Sequence, residues 1–96
     1  MTPEGKVKDG IKKVLAAHGV WYFMPPANGY GRTGIPDFIC CVNGKFLAVE
    51  AKANTDPTPL QEREMAAIHA HNGVAMVVRE DTSMLESAIL RLKEAP

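Results

Sequence analysis

Apolar residues recur along the N-terminal part of the chain with the spacing of an amphipathic helix. The helical positions are Val7, Ile11, Val14 and Leu15. Thr2 followed by Pro3 is typical of a helix start, and Gly19 is typical of a helix end. A short aromatic run at 20–24 then predicts a strand that stops at two prolines. We expect its aromatic side chains to lie in the core or in a subunit contact rather than to stack on bases.

Residues 34–52 contain two apolar runs on either side of Asn43-Gly44, and this arrangement predicts a two-residue β-hairpin. With these two residues as the turn, the numbers of each opposed pair sum to 87, so Asp37 is expected to face Glu50. Side chains alternate along a strand, which places Lys52 on the same face as Glu50. Both faces of the hairpin are apolar, so we expect the strands to be buried and two carboxylates and an ammonium group to converge.

A second helix is predicted to begin with Thr58 as N-cap, Pro59 at the first position and Gln61 at the third, and to end at Asn72-Gly73. Its expected apolar stripe is Leu60, Met65, Ala67 and Ile68. The continuous apolar run at 74–78 predicts a strand buried on both faces, parallel to the one before the helix. Asp81 or Thr82 is expected to cap a last helix. The predicted order is helix, three strands, helix, strand, helix.

Composition limits the class of protein. Ninety-six residues with 46% hydrophobic and 23% charged residues are typical of one small globular domain, which we place at 1–96. No apolar run reaches the length of a membrane span, and no signal peptide is evident. The adjacent Cys40 and Cys41 are expected to be buried, reduced thiols, so we expect a cytoplasmic, intracellular protein without membrane partners.

The formal net charge is zero, but the two halves of the chain differ. Residues 1–52 carry seven Lys and Arg against four Asp and Glu, whereas 53–96 carry four against seven. This asymmetry is compatible with a polyanion that approaches the N-terminal half, and equally with an ordinary solvated surface.

The expected pairing of Asp37 with Glu50 brings two like charges together. At roughly 5 Å and an effective dielectric constant of about 20, two unit negative charges repel each other by about 3 kcal/mol. A divalent cation with a preference for oxygen ligands, Mg²⁺ or Mn²⁺, would turn the repulsion into attraction. A proton shared by the two carboxyl groups, or an ion pair between Glu50 and Lys52, would relieve the repulsion as well.

The spacing of Pro36-Asp37 and Glu50-Ala51-Lys52 resembles the signature of the PD-(D/E)XK nuclease superfamily. With Arg32-Thr33-Gly34-Ile35 before it and Leu60-Gln61 after it, the chain is similar to the VRR-NUC family, the virus-type replication-repair nucleases. The resemblance extends from about Glu4 to Val78. Within the family, the chain is most similar to the stand-alone domains of phages and bacteria. It implies a restriction-endonuclease-like α/β fold: an αβββαβ core with a mixed four-stranded sheet between helices, here with an additional C-terminal helix.

The same resemblance implies a set of site residues. Asp37, Glu50 and the backbone carbonyl of Ala51 would bind Mg²⁺ or Mn²⁺, and Lys52 would orient or deprotonate the attacking water. Gln61 would take part in catalysis by orienting water or a phosphate oxygen, although its spacing from Thr58 also fits a capping box.

Four more residues are candidates for contacts with the metal or with DNA, and three of them also have a structural interpretation. Glu4 either stabilises the helix dipole or approaches the metal, as the first-helix glutamate of the superfamily does. Lys6 belongs to a lysine-rich helix that is either a solvated face or a phosphate contact. Arg32 is a plausible bidentate phosphate contact, and Tyr30 either stacks on a base or covers its loop.

The function implied by the resemblance is a metal-dependent DNA endonuclease, an enzyme that hydrolyses phosphodiester bonds. We expect a homodimer that is selective for branched DNA such as Holliday junctions, with Trp21, Tyr22 and the last helix at the dimer contact. The alternatives are a non-catalytic DNA-binding or assembly module that keeps the fold, and a small α/β domain that binds an unrelated protein.

Overall fold

A computed structural model of the chain describes residues 1–26 and 31–96. The elements in chain order are α1 (Pro3–Ala17), β1 (Trp21–Phe23), β2 (Phe38–Val42), β3 (Lys45–Ala51), α2 (Pro59–Ala70), β4 (Val74–Val78) and α3 (Ser83–Glu94). The predicted order of helices and strands is confirmed. The described helices are too short and too polar to cross a bilayer.

The strands form one mixed sheet in the order β1-β2-β3-β4. β2 is antiparallel to both β1 and β3, and β4 is parallel to β3, as the intervening helix predicts. Asn43 and Gly44 have φ angles of 51° and 79°, and the twist of such a turn matches that of the flanking strands. The register of the hairpin runs from Val42 opposite Lys45 to Phe38 opposite Val49, so the predicted sum of 87 is confirmed.

The two faces of the sheet are covered differently. On one face, α1 and α3 pack over the strands and form the main core, which contains Val7, Ile11, Leu15, Phe38, Leu47, Val49, Leu85 and Ile89. On the other face, α2 packs over β4, and its Gln61 side chain reaches Glu50 of β3. The described helices leave open the part of this second face that β1 and β2 supply.

Several expectations about burial are wrong. Phe46 is exposed rather than buried, and Trp21 and Phe23 are exposed rather than in the core, whereas the subunit contact expected as their other location stays a prediction. Cys40 is buried as expected, but Cys41 is exposed. On β4, Ala75 and Val78 are buried, and the other three side chains are half-buried.

The predicted apolar stripe of α2 is also wrong. Leu60 and Ala67 are exposed, Met65 and Ile68 are half-buried, and the one fully buried side chain of this helix is Glu64. This helix packs mainly against one strand, β4, so it does not need a broad apolar face. The carboxylate that it buries points instead to a specific polar contact.

Candidate metal and catalytic site

The candidate site lies where the loop before β2 meets the end of β3 and the start of α2. Asp37 sits one residue before β2, in a bend rather than in the strand ladder. Its Oδ2 accepts a hydrogen bond of 2.9 Å from the backbone N–H of Ala51. The prediction that Asp37 pairs with Glu50 in the strand ladder is therefore wrong. The hydrogen bond to Ala51 nevertheless fixes the Asp37 side chain beside the end of β3.

Glu50 is 3% exposed, and its two carboxyl oxygens have different surroundings. Oε2 accepts a hydrogen bond of 2.9 Å from Gln61 Nε2 and lies 3.9 Å from Lys52 Nζ. Among the described residues, Oε1 is buried and has no hydrogen-bond partner. An ionised carboxylate needs a donor or a cation at that oxygen, and a protonated one needs an acceptor, so either form leaves the group unsatisfied.

The surroundings of Glu50 oppose its ionisation. Burial, followed by the negative charge of Asp37, raises the pKa of Glu50 from 4.5 to about 7, although Lys52 acts in the opposite direction. A buried glutamate that resists ionisation beside a second acidic side chain is the arrangement that a divalent cation stabilises.

Lys52 follows β3 and is itself buried, with 10% of its side chain exposed. The separation of 3.9 Å from Glu50 is an ion-pair distance but is too long for a hydrogen bond. The ion pair of Glu50 with Lys52, one of the alternatives to a metal, is therefore present. It involves Oε2 and leaves Oε1 without a partner in the described part of the chain.

Gln61 connects the site to the start of α2. Its Oε1 accepts from the backbone N–H of Thr58 at 2.9 Å, and Thr58 Oγ1 accepts from the backbone N–H of Gln61 at 3.2 Å. This is the predicted capping box, and it holds the Gln61 amide so that its Nε2 points at Glu50. The structural and functional interpretations of Gln61 are thus compatible.

The first helix approaches the site through Lys8. Lys8 Nζ lies 3.7 Å from Asp37 Oδ1 and 4.0 Å from Glu4 Oε2. Glu4 is therefore joined to the site by way of a lysine. Lys6, one of the expected nucleic-acid contacts, borders a separate depression beside Asn54 and Glu80. The sequence offered one signal for Lys8, its i,i+4 spacing from Glu4.

A cleft of about 300 Å³ opens beside the site, with Arg32, Gly34, Pro36, Asp37 and Gln61 among its lining residues. Arg32 is 74% exposed, and its Nε lies 3.1 Å from a carboxyl oxygen of Glu64. Glu64 thus holds the guanidinium at the mouth of the cleft, a role that the sequence pattern did not reveal. The expected contact residue Tyr30 lies outside the described residues.

The donor set can be compared with the needs of a hard cation. Within residues 1–26 and 31–96, no three Asp, Glu, His or Cys side chains are grouped closely enough to make a ready-made metal site. Mg²⁺ is commonly held by one or two carboxylates, with water completing its coordination. Asp37 and Glu50 meet that smaller requirement, and the unsatisfied Oε1 of Glu50 is the observation that fits a cation.

Comparison of the chain with protein-family models, with curated proteins and with solved structures finds no match.

Proposed function

We propose that the protein is a metal-dependent DNA endonuclease of the PD-(D/E)XK type, similar to the VRR-NUC family. The observation that carries the proposal is the buried Glu50 carboxyl group next to Asp37 and Lys52, with one oxygen that has no hydrogen-bond partner within residues 1–26 and 31–96. Asp37, Glu50 and the carbonyl of Ala51 would hold Mg²⁺ or Mn²⁺. The bound cation supplies positive charge that favours deprotonation of water and offsets the charge that builds up on the phosphate.

The side chains around the carboxylates have separate roles in this proposal. Lys52 orients the attacking water and stabilises the negative charge of the transition state. Gln61 fixes the orientation of the Glu50 carboxylate through its hydrogen bond. Arg32 binds a phosphate at the mouth of the cleft. Glu64 contacts its Nε, and the two Nη groups then form the fork that makes a bidentate contact with phosphate oxygens.

The test is a nicking assay with Mg²⁺ and Mn²⁺ on linear, flapped and four-way DNA. Asp37→Ala and Glu50→Ala should abolish cleavage. Lys52→Ala should lower the rate by about 100- to 1,000-fold, the usual cost of removing one group that stabilises transition-state charge. The control is Asp56→Ala, which removes a carboxylate that is 93% exposed and lies on a different loop. Circular dichroism would show that each variant folds.

Full activity in all three site variants would refute the mechanism. Metal-independent DNA binding without cleavage would favour the alternative function, a non-catalytic binding or assembly module. Failure to bind DNA at all would favour the third possibility, a domain for a protein partner. As a nuclease of this type, the protein would act in the cytoplasm and, as a homodimer, place two sites on branched DNA.

A further inference from the structure

The open half of the second sheet face carries a group of exposed aromatic side chains. Trp21 is 63% exposed, Phe23 48% and Phe46 43%. The register places Trp21 opposite Cys41 on the next strand, and Cys41 opposite Phe46 on the strand after that. Trp21, Cys41 and Phe46 therefore form one row across β1, β2 and β3. We call Trp21, Phe23, Cys41 and Phe46 the aromatic face.

The aromatic face is continuous with the candidate site. Ile39 and Cys41 of β2 project from the same side of the sheet, and so do Ala48 and Glu50 of β3. Asp37 and Cys41 are four positions apart in the chain, which corresponds to about 13 Å of extended backbone. A stacked nucleic-acid strand advances about 3.4 Å per nucleotide. The row of rings thus lies within a few nucleotides of the carboxylates.

The rings are held in place rather than free to collapse onto the protein. Trp21 and Phe23 pack against each other with ring centroids 6.0 Å apart. Phe46 lies against Gly73, because a Cβ added at Gly73 would be only 3.2 Å from the Phe46 ring.

Phe46 also lines an open groove of about 600 Å³, and Arg32 and Glu64 are among the other residues that line it. Arg32 lines both this groove and the cleft beside Asp37. Arg32 therefore connects the groove beside Phe46 with the cleft beside the candidate site.

The exposed area is small for a contact between two copies of the chain. At about 200–250 Å² for each aromatic side chain, the exposed fractions amount to roughly 350 Å². A stable protein interface buries about 800 Å² on each partner. Fixed, exposed rings next to an arginine are, in contrast, the side chains on which unpaired bases stack.

We propose that the aromatic face binds an unpaired DNA strand by stacking its bases on Trp21 and Phe46, and guides that strand to the site at Asp37 and Glu50. The choice of DNA as the occupant rests on the proposed function. The substrate class that follows is branched or flapped DNA with single-stranded segments, in preference to an intact duplex.

Two side chains of the unmodified protein report on this face. Trp21 is the one tryptophan of the chain, so its fluorescence should be quenched when a base stacks on it. Cys41 is exposed, whereas Cys40 is buried and burial raises the pKa of its thiol to about 11. A thiol reagent should therefore modify Cys41 first. The probe is an oligothymidylate added in the presence of EDTA, with an abasic strand and a duplex of the same length as comparisons.

We expect the oligothymidylate to quench Trp21 and to slow the modification of Cys41, and the abasic strand and the duplex to do so much less. Trp21→Ala and Phe46→Ala should each weaken binding about tenfold, within the range measured for a stacked base. The control, Met84→Ala, removes a large apolar side chain that is 67% exposed on α3 and should leave binding unchanged.

Equal binding of the abasic strand, or unchanged affinity in both aromatic variants, would overturn the proposal. So would protection of Cys41 that rises with protein concentration in the absence of DNA, because a second copy would then cover the face. These measurements do not require cleavage. A protein that binds the strand but never cuts it would refute the proposed nuclease activity and would still support strand binding by the aromatic face.

Discussion

At the scale of single residues, the carboxyl group of Glu50 is the centre of the proposed site. Its pKa is about 7 in the folded protein, against 4.5 for an ordinary glutamate. Between these two values, the folded state keeps a proton that the unfolded state has released. The free energy of unfolding of the metal-free protein should therefore fall as the pH rises from about 4.5 to about 7, by an amount on the order of 3 kcal/mol.

Chemical denaturation in EDTA across that pH range measures this effect. Glu50→Gln removes the titrating group and should flatten the dependence. Glu62→Gln, which changes an exposed side chain of α2, should leave it in place. A wild-type stability that rises through the same range would show that Glu50 ionises easily, and it would remove the electrostatic case for a cation.

The sequence was sufficient to predict Asp37, Glu50 and Lys52 as neighbours, because a two-residue turn and a period of two determine their positions. It was not sufficient to predict that Lys8 contacts Asp37 or that Glu64 contacts Arg32. Their roles depend on how α1 and α2 lie against the loop before β2, and this packing has no short-range sequence pattern. Asp37 shows the same limit, because it leaves the ladder to bond the N–H of Ala51.

At the scale of elements, the start of α2 sets the position of Gln61. Thr58→Ala removes one side chain of the capping box and should lower the free energy of unfolding by about 1 kcal/mol. Because the hydrogen bond from Gln61 to Glu50 remains possible, cleavage at saturating metal should change little. Gln61→Ala should cost similar stability and also slow cleavage. Thermal denaturation and the nicking assay, run on both variants, measure the two effects, and equal activity in both would leave Gln61 with a capping role alone.

The loop before β2 depends on Gly34 for its contact with α2. Gly34 has a φ of +94°, and a Cβ there would lie 2.6 Å from the backbone oxygen of Leu60. Gly34→Ala should therefore destabilise the protein by about 2 kcal/mol or more, since strained backbone and a steric clash combine. Gly31→Ala is the matched control, because its Cβ meets nothing within 4 Å among the described atoms. Similar melting temperatures for the two variants would contradict this packing.

Element order and strand register could be predicted from periodicity, whereas the exposure of the sheet could not. The run at 20–24 resembles a core strand in composition, yet Trp21 and Phe23 face solvent because α2 lies over β4 instead of β1. Glu64 is the converse case, a charged residue buried on a helix that was expected to bury leucine. Which half of a sheet a crossover helix covers is decided by tertiary packing.

At the scale of the whole molecule, the residues predicted for the dimer contact lie on two opposite sides of the sheet. Trp21 belongs to the open sheet face, and Tyr22 points to the opposite side, where its ring lies 5.8 Å from that of Phe38. The last helix covers that opposite side, so one flat contact does not include both Trp21 and α3. We place the proposed homodimer contact at α3, where Leu90 is 50% exposed.

Sedimentation velocity at micromolar concentration tests the dimer. We expect a dimer for the wild type and a monomer for Leu90→Glu, because a charge buried at an apolar contact is costly. Trp21→Ala should remain dimeric and serves as the control. A monomeric wild type would remove the dimer from the proposal but leave the chemistry of the site untouched.

The most direct test of the metal site is anomalous scattering from a crystal soaked in Mn²⁺. We predict a manganese peak at bonding distance from Oε1 of Glu50 and from the carboxylate of Asp37, and no such peak in a Glu50→Gln crystal. A wild-type crystal with no peak, in which Oε1 is satisfied by an ordered water molecule instead, would contradict the proposed metal site.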